Sequence, residues 1–341
     1  MSRSRRRGFL ASAAAGVLAA GLPGGLAAAA GMKKVALLQQ LEVEEGDLPK
    51  ELFEYIDTHY VKPFAERGLR DGVNFKLVPH VIPMRSDWGV SIPKAAREIA
   101  RGGYDGAIAE GGGLTRALRE AAPNLPIAAH LFDPVGEGFA QSLARPGGNV
   151  TGTHRGVREV YLKQIDVLRR LVPGATRMAW ISWRPQIEQR WAAFDWAART
   201  AGIEVRRVFL EPKGDDFPDL PGDFEALRRD GYRCGHYDSG LDPDLKAVSA
   251  LALRHRIALS FWGSPGDFDR EGLLLQYQAA RDGVEGRLVA AMARVLRGEH
   301  PRDIPFEGPT KYRMRLNLKT ASRIGVKVPD DVLVMMDEVL R

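Results

Sequence analysis

The sequence predicts an α/β protein built as two doubly wound, Rossmann-like lobes joined by a hinge. Three observations carry that reading. Apolar runs suited to parallel strands buried on both faces alternate with helical runs along the chain. The length of 341 residues allows about two cores rather than one. Near the middle, Ser142-Leu-Ala-Arg-Pro-Gly-Gly-Asn-Val-Thr-Gly interrupts the alternation and separates two halves of similar pattern. Pro146 removes a backbone donor, and Gly147 and Gly148 accept positive φ without a Cβ penalty, so a helix through Ser142 is expected to stop there and the chain to turn. That stretch reads either as a surface loop or as the link between the lobes.

Taken in order, Lys33 to Gln40 is a near-continuous apolar run closed by polar residues, the pattern of a buried parallel strand. Leu52 to Gly68 reads as a helix with Phe53, Ile56 and Tyr60 on one side and Pro63 weakening its later half. Phe75 to Val81 is a strand, Pro93 to Gly102 a helix, and Gly106 to Ala109 a strand. A helix begins near Leu114, Pro126 to Phe132 is a strand, and a helix is expected from the Asp133-Pro-Val-Gly turn to Ser142. Val150 to Thr153 is a short strand. Val157, Val160, Ile165, Leu168 and Val172 recur at near-helical spacing until Pro173-Gly174 ends the helix. Strands at Met178 to Trp183, Glu204 to Leu210, Cys234 to Ser239 and Ile257 to Trp262 then alternate with helices at Trp191 to Ala201, Phe224 to Asp230 and Leu245 to His255.

Composition narrows the function. The formal charge is +6, and Arg3, Arg5, Arg6 and Arg7 contribute four of those charges, leaving +2 on everything after residue 30. With no concentrated basic run in the body, nucleic acid is not an expected partner. Arg5-Arg6-Arg7-Gly-Phe-Leu precedes an Ala- and Gly-rich stretch ending in Ala28, Ala29 and Ala30, which resembles a twin-arginine export signal over residues 1–30, cleaved near Ala30. The competing reading is an uncleaved anchor, although Gly16, Gly21, Pro23, Gly24 and Gly25 make a poor spanning helix. The expected location is the periplasm. Cys234 is alone, so it forms no internal disulfide; it reads as a small packed residue, with a nucleophile assisted by His236 as the rival. The seven histidines form no close ligand cluster, no Gly-x-Ser-x-Gly elbow occurs, and nothing assembles an acid, a base and a nucleophile. Neither an enzyme, a metal site nor a cofactor is expected.

Asp133-Pro-Val-Gly-Glu-Gly-Phe, followed by Ser142 to Gly152, resembles the hallmark of the ABC-transporter substrate-binding proteins related to tryptophan and tyrosine uptake systems. Leu168-Arg-Arg-Leu-Val-Pro-Gly-Ala-Thr-Arg-Met-Ala is similar to that family's opening of the second lobe. Leu296-Arg-Gly-Glu-His-Pro-Arg-Asp-Ile-Pro-Phe-Glu, Pro309-Thr-Lys-Tyr and Leu316-Asn-Leu-Lys-Thr-Ala are similar to its C-terminal block. The resemblance spans about residues 33 to 340. It implies a type I periplasmic binding fold with a three-strand hinge, crossing near 149–153, 273–278 and 316–319. One lobe would comprise 31–150 with 276–308 and the other 151–275 with 309–341. A small molecule, an amino acid or an aromatic or carboxylate compound, would be trapped between the lobes of a monomer and passed to an ABC permease with its ATPase. The alternative is an extracytoplasmic sensor that presents its ligand to a signalling receptor. The chain departs from the family where Ser182-Trp-Arg-Pro replaces an Asn-Pro and Gln276-Tyr-Gln replaces a Ser-Tyr-Gly, so only Tyr277 carries over.

Ligands of open α/β sheets meet the carboxyl ends of strands. The candidates there are Gln39, Gln40, Gly112, Gly113, Thr115, His130, Phe132, Trp183, Arg184, Asp238, Ser239, Trp262 and Tyr277. Glycines 111 to 113 before a helix offer either an anion site at a helix N-terminus or ordinary turn chemistry. Trp183, Trp262 and Tyr277 either stack on a flat ligand or fill the core. Arg184 either pairs with a carboxylate or is a solvated charge, and Asp238 either meets an ammonium or caps a helix. Asp133 reads as a turn residue. Gly147, Gly148, Asn149, Thr151 and Gly152 are the expected hinge positions.

Overall fold

A computed structural model describes residues 31–41, 48–83, 87–183, 188–210, 220–238, 245–263, 265–269 and 272–341. The leader expected over 1–30, together with Arg184 and Ser239, lies outside the described residues.

The first half forms a five-stranded, wholly parallel sheet of β1 (Lys33–Leu41), β2 (Phe75–Pro83), β3 (Gly106–Glu110), β4 (Ile127–Leu131) and β5 (Val150–His154), in the order β2-β1-β3-β4-β5. The period of two along β1 divides its side chains between two cores. Val35 and Leu37 pack with Leu52 and Ile56 of α1 (Lys50–Ile56) and Phe64 of α2 (Lys62–Glu66), whereas Ala36 and Leu38 pack with Ile99 of α3 (Trp88–Arg101) and Leu114 of α4 (Gly112–Ala121). Both faces are therefore covered, as the uninterrupted apolar run requires.

The second half repeats this plan. Strands β6 (Arg177–Trp183), β7 (Glu204–Leu210), β8 (Cys234–Asp238), β9 (Ala258–Trp262) and β10 (Leu275–Ala279) run parallel in the order β7-β6-β8-β9-β10, and β11 (Tyr312–Asn317) and β12 (Glu338–Leu340) extend the sheet beyond β10. β11 runs antiparallel to β10, and β12 runs parallel to β11. Met178 and Trp180 face α5 (Val157–Leu171) and α6 (Glu188–Thr200); Ala179 and Ile181 face α7 (Leu220–Arg229) and α8 (Leu245–His255). After the short α9 (Pro265–Phe268) and β10, the chain returns to the first sheet, where α10 (Val284–Leu296) packs on β3, β4 and β5. It ends with α11 (Leu318–Ile324) and α12 (Asp330–Leu333) beside the second sheet. Among the described residues no helix is long and apolar enough to cross a membrane.

Three stretches connect the two sheets. The first follows β5, the second follows β10, and the third, around residues 304–312, lies beside both. Glu307 accepts from the amide of His154 (3.0 Å) and donates to the carbonyl of Gly152 (2.9 Å), while Ala280 donates to the carbonyl of Lys311 (3.0 Å). The third passage thus precedes the expected position: residues 316–319 end β11 and begin α11.

Three local expectations are corrected. Residues 133–149 carry turns and bends and no helix. The Glu137 carboxylate accepts from the amides of Phe132 (3.0 Å) and Asp133 (2.9 Å), folding the chain back on itself in competition with a helical ladder. The helix expected from Pro93 starts at Trp88, because Asp87 caps it by accepting from the amide of Gly89, and Pro93 lies inside. Between α1 and α2, residues Asp57–Val61 form a π-turn immediately before Pro63, whose ring and missing N–H disfavour the regular ladder.

Candidate functional site

In both halves the strand order reverses between the first and third strands, and this switch opens a crevice at the strand carboxyl ends. A cavity of about 380 Å³ lies where those ends face one another. The ends of β4 and β5 contribute His130, His154 and Arg155; α6 contributes Arg190; the end of β9 contributes Trp262; the turn after β10 and α10 contribute Arg281, Val284 and Arg287. Pro309, on the third passage, completes this wall.

The polar groups form an ordered chain. Arg155 donates from Nε to Nε2 of His130 (3.1 Å), so that nitrogen is an acceptor and the His130 proton sits on Nδ1, directed at Thr153 Oγ1 (2.8 Å). Burial, reinforced by Arg155, holds the His130 pKa well below its usual value, which keeps the acceptor free. Burial also pushes the Arg155 guanidinium down to about 9, with Arg190 and Arg281 acting in the same direction. Arg155 is still a cation at neutral pH.

Two of the other arginines are neutralised from behind. Arg190 forms a short ion pair with Asp238, whose side chain is fully buried. Arg281 bridges Glu110 (2.7 Å) and Glu285 (3.3 Å). Burial pushes the Glu110 carboxyl up, but Arg281 and the bonds donated by Tyr60 and Gln39 outweigh it and the net direction is down. Among the described residues Arg287 bonds only a backbone carbonyl, that of Asp282 (3.3 Å). Phe132 lies between two cations, 4.4 Å from Arg155 and 4.1 Å from Arg190, with Trp262 at 5.6 Å.

No family model matches the chain, and no characterised protein matches it in sequence. Its fold does have relatives. A structure from Streptococcus pneumonia described as an ABC domain in complex with L-Trp shares 17% identity at a TM-score of 0.65, covering 91% of this chain and 100% of that one. A conserved domain protein from Vibrio cholerae gives 0.65 at 15% identity, covering 90% and 99%. CD0873 from Clostridium difficile, described as a substrate-binding protein in its ligand-free, open form, gives 0.62 at 18% identity, covering 91% and 99%. This chain has the type I periplasmic binding fold. The fold also serves transcriptional regulators, since a LacI-type regulator from Bacteroides fragilis gives a TM-score of 0.52.

Within this periplasmic binding fold the sequence-predicted residues separate clearly. His130 and Trp262 line the cavity, and Phe132 and Asp238 touch the arginines that do. Gln39 spends its amide on Tyr60 (3.1 Å) and Glu110 (2.8 Å), and Gln40 stands beside it at the end of β1 without reaching the lining. Gly112, Gly113 and Thr115 do not line the cavity: Thr115 turns its hydroxyl back to the carbonyl of Gly111 (2.8 Å). A Cβ at Gly112 would stand 2.1 Å from Glu137 Oε2, so the glycine run makes room for the chain's own carboxylate. Tyr277 stacks on Tyr312 (5.5 Å) and accepts at its carbonyl from Gln164 (2.7 Å). Trp183 ends β6, and its side chain is outside the described set. Asp133 accepts from the amide of Gly136 and pairs with Arg158 (2.8 Å), as a turn residue would. Cys234 is buried and its thiol is pushed up to about 12 by burial, which keeps it protonated.

Sequence reasoning missed Arg155, Arg190, Arg281 and Arg287. Arg155 directly follows β5, so the strand-end search could have found it. Arg190 and Arg287 sit within helices, and only tertiary packing turns them toward the crevice.

Proposed function

We propose that the chain is an exported solute-binding protein that captures a small molecule between its two lobes and delivers it to an ABC importer. The observation that carries this reading is the cavity at the strand carboxyl ends of both sheets, beside three connecting passages. A ligand that contacts both walls stabilises the closed arrangement by its differential affinity for it, and bending in the connecting passages permits the closure. The residues assigned to bending, Gly147, Gly148, Asn149, Thr151 and Gly152, lie just before and within β5 and lead into the first passage. Lobe I then comprises 31–154 with 280–308 and lobe II 155–279 with 309–341, shifted from the expected bounds because β5 lies wholly in the first sheet and β10 wholly in the second. The L-Trp complex and the open substrate-binding protein among the similar structures support capture of a small solute. The arginine-led, alanine-rich leader supports export to the periplasm, and the receptor acts as a monomer.

The test is binding. A panel of amino acids, peptides and aromatic or aliphatic acids is screened by thermal unfolding, where a ligand at 100 times its Kd adds ~2.7 kcal/mol to the folded state. Uptake of the captured solute by cells with and without the gene then tests delivery. A chain that binds no small molecule, or that turns one over, contradicts the proposal. Unchanged uptake together with a lost transcriptional response would move the chain to the sensor class.

A further inference from the structure

We infer that the ligand is a small carboxylic acid whose carboxylate is taken by the two Nη groups of Arg155. The inference rests on the reading of the cleft as the ligand site. Arg155 is a pre-aimed fork. Its Nε is committed to His130, which Thr153 holds in turn, and the ring of Phe132 lies against one face of the guanidinium. Neither Nη group has a partner among the described residues. Such a fork matches the two oxygens of a carboxylate in one plane, a match that a lysine ammonium cannot make.

The charge distribution points the same way. Among the described lining residues there are four arginines and no Asp or Glu. The carboxylates that touch this set, Asp238, Glu110 and Glu285, lie behind the wall and neutralise Arg190 and Arg281. Arg155 and Arg287 have no carboxylate within ion-pair distance among the described residues. A bound acid supplies the missing negative charge, in a crevice where low dielectric strengthens the contact. Trp262, Val284 and Pro309 give its organic part apolar surface. Among the described lining residues an ammonium group finds no acceptor carboxylate, and Asp238 behind them is paired with Arg190. A simple organic acid therefore fits better than a zwitterionic amino acid.

The purified full chain is titrated at fixed ionic strength with acetate, succinate and benzoate, with their amides acetamide, succinamide and benzamide, and with tryptophan. Thermal unfolding and tryptophan fluorescence are read. At least one acid is expected to bind while its amide does not, and Arg155→Gln is expected to weaken that acid at least about tenfold. Without ligand, Arg155→Gln should melt no lower than the wild type, because it removes a cation that lacks a carboxylate partner. Arg155→Lys, which keeps the charge but loses the fork, should bind with intermediate affinity; it also serves if the Gln variant does not fold. Binding of amides or tryptophan as tight as that of the acids, or acid binding indifferent to Arg155, overturns the carboxylate assignment and leaves the receptor reading intact. If none of these compounds binds but another member of the wider panel does, the carboxylate assignment alone falls; if no compound of either set binds, both readings fall.

Discussion

Gly152→Ala tests the packing of β5, the strand that leads into the first passage between the sheets. Gly152 has φ +133°, a conformation that L side chains rarely adopt, and it pairs with Ala129 in the register of β4 and β5. An added Cβ would stand 2.2 Å from the Ala129 carbonyl oxygen and 2.6 Å from its amide nitrogen. Both are backbone atoms of β4, which is bonded to β3 on its other side. On the opposite edge of β5, the Gly152 carbonyl is held by the amide of Glu307 at 2.9 Å. No flexible side chain can yield. Backbone strain of ~1–3 kcal/mol and overpacking of similar size together predict a loss of about 2–6 kcal/mol, a large part of a typical domain's stability. Urea unfolding followed by tryptophan fluorescence measures it. Gly148→Ala is the control, since its Cβ meets only the Phe139 carbonyl, at 3.9 Å, and should change stability by less than about 0.5 kcal/mol. A Gly152→Ala loss below about 1 kcal/mol, or an equal loss at Gly148, would refute the reasoning.

Three further outcomes follow from the geometry. Glu137→Ala leaves the amides of Phe132 and Asp133 without their acceptor and should cost about 1–3 kcal/mol in urea unfolding, whereas Gly112→Ala, whose Cβ meets the movable end of that side chain, should cost no more than Glu137→Ala. Arg190→Ala removes the cation from the fully buried Asp238 and should destabilise by about 3 kcal/mol; Arg190→Ala combined with Asp238→Asn should recover part of that loss in a double-mutant cycle. His236 is fully buried, and burial followed by Arg190 pushes its pKa to about 3, so the unfolded chain takes up a proton that the folded chain refuses. Its contribution is complete above the unfolded value of about 6.5 and is lost as pH falls toward 3, roughly 1.4 kcal/mol per pH unit, and His236→Gln should flatten that part of the stability profile.

The fold was largely legible because parallel strands buried on both faces leave continuous apolar runs, as at Val35 to Leu38, and because Pro173-Gly174 marks the end of α5 so plainly. The misreadings arose where a side chain overrides local propensity. Glu137 folds residues 133–149 into turns, Asp87 starts α3 ahead of Pro93, and Glu307 brings the third passage forward to β5. The glycine run before α4 offered either an anion site or ordinary turn chemistry, and the anion there is Glu137, six residues beyond the end of β4. His130 and Trp262 were found because strand ends face the crevice in any doubly wound sheet. The arginines escaped because a residue's sequence position does not show which helix face meets a neighbouring sheet, and the separation between Arg155 and Arg287 closes only when α10 returns to pack on β5.

A crystal structure of the chain grown with the tightest-binding acid tests the central claim most directly. The account predicts ligand density between the His130–Arg155 side and the Trp262–Arg190 side of the cavity, with a carboxylate on the Arg155 Nη groups and the walls drawn together. Density at another place on the molecule, or a ligand in the cleft with an apolar or cationic group against Arg155, would contradict it.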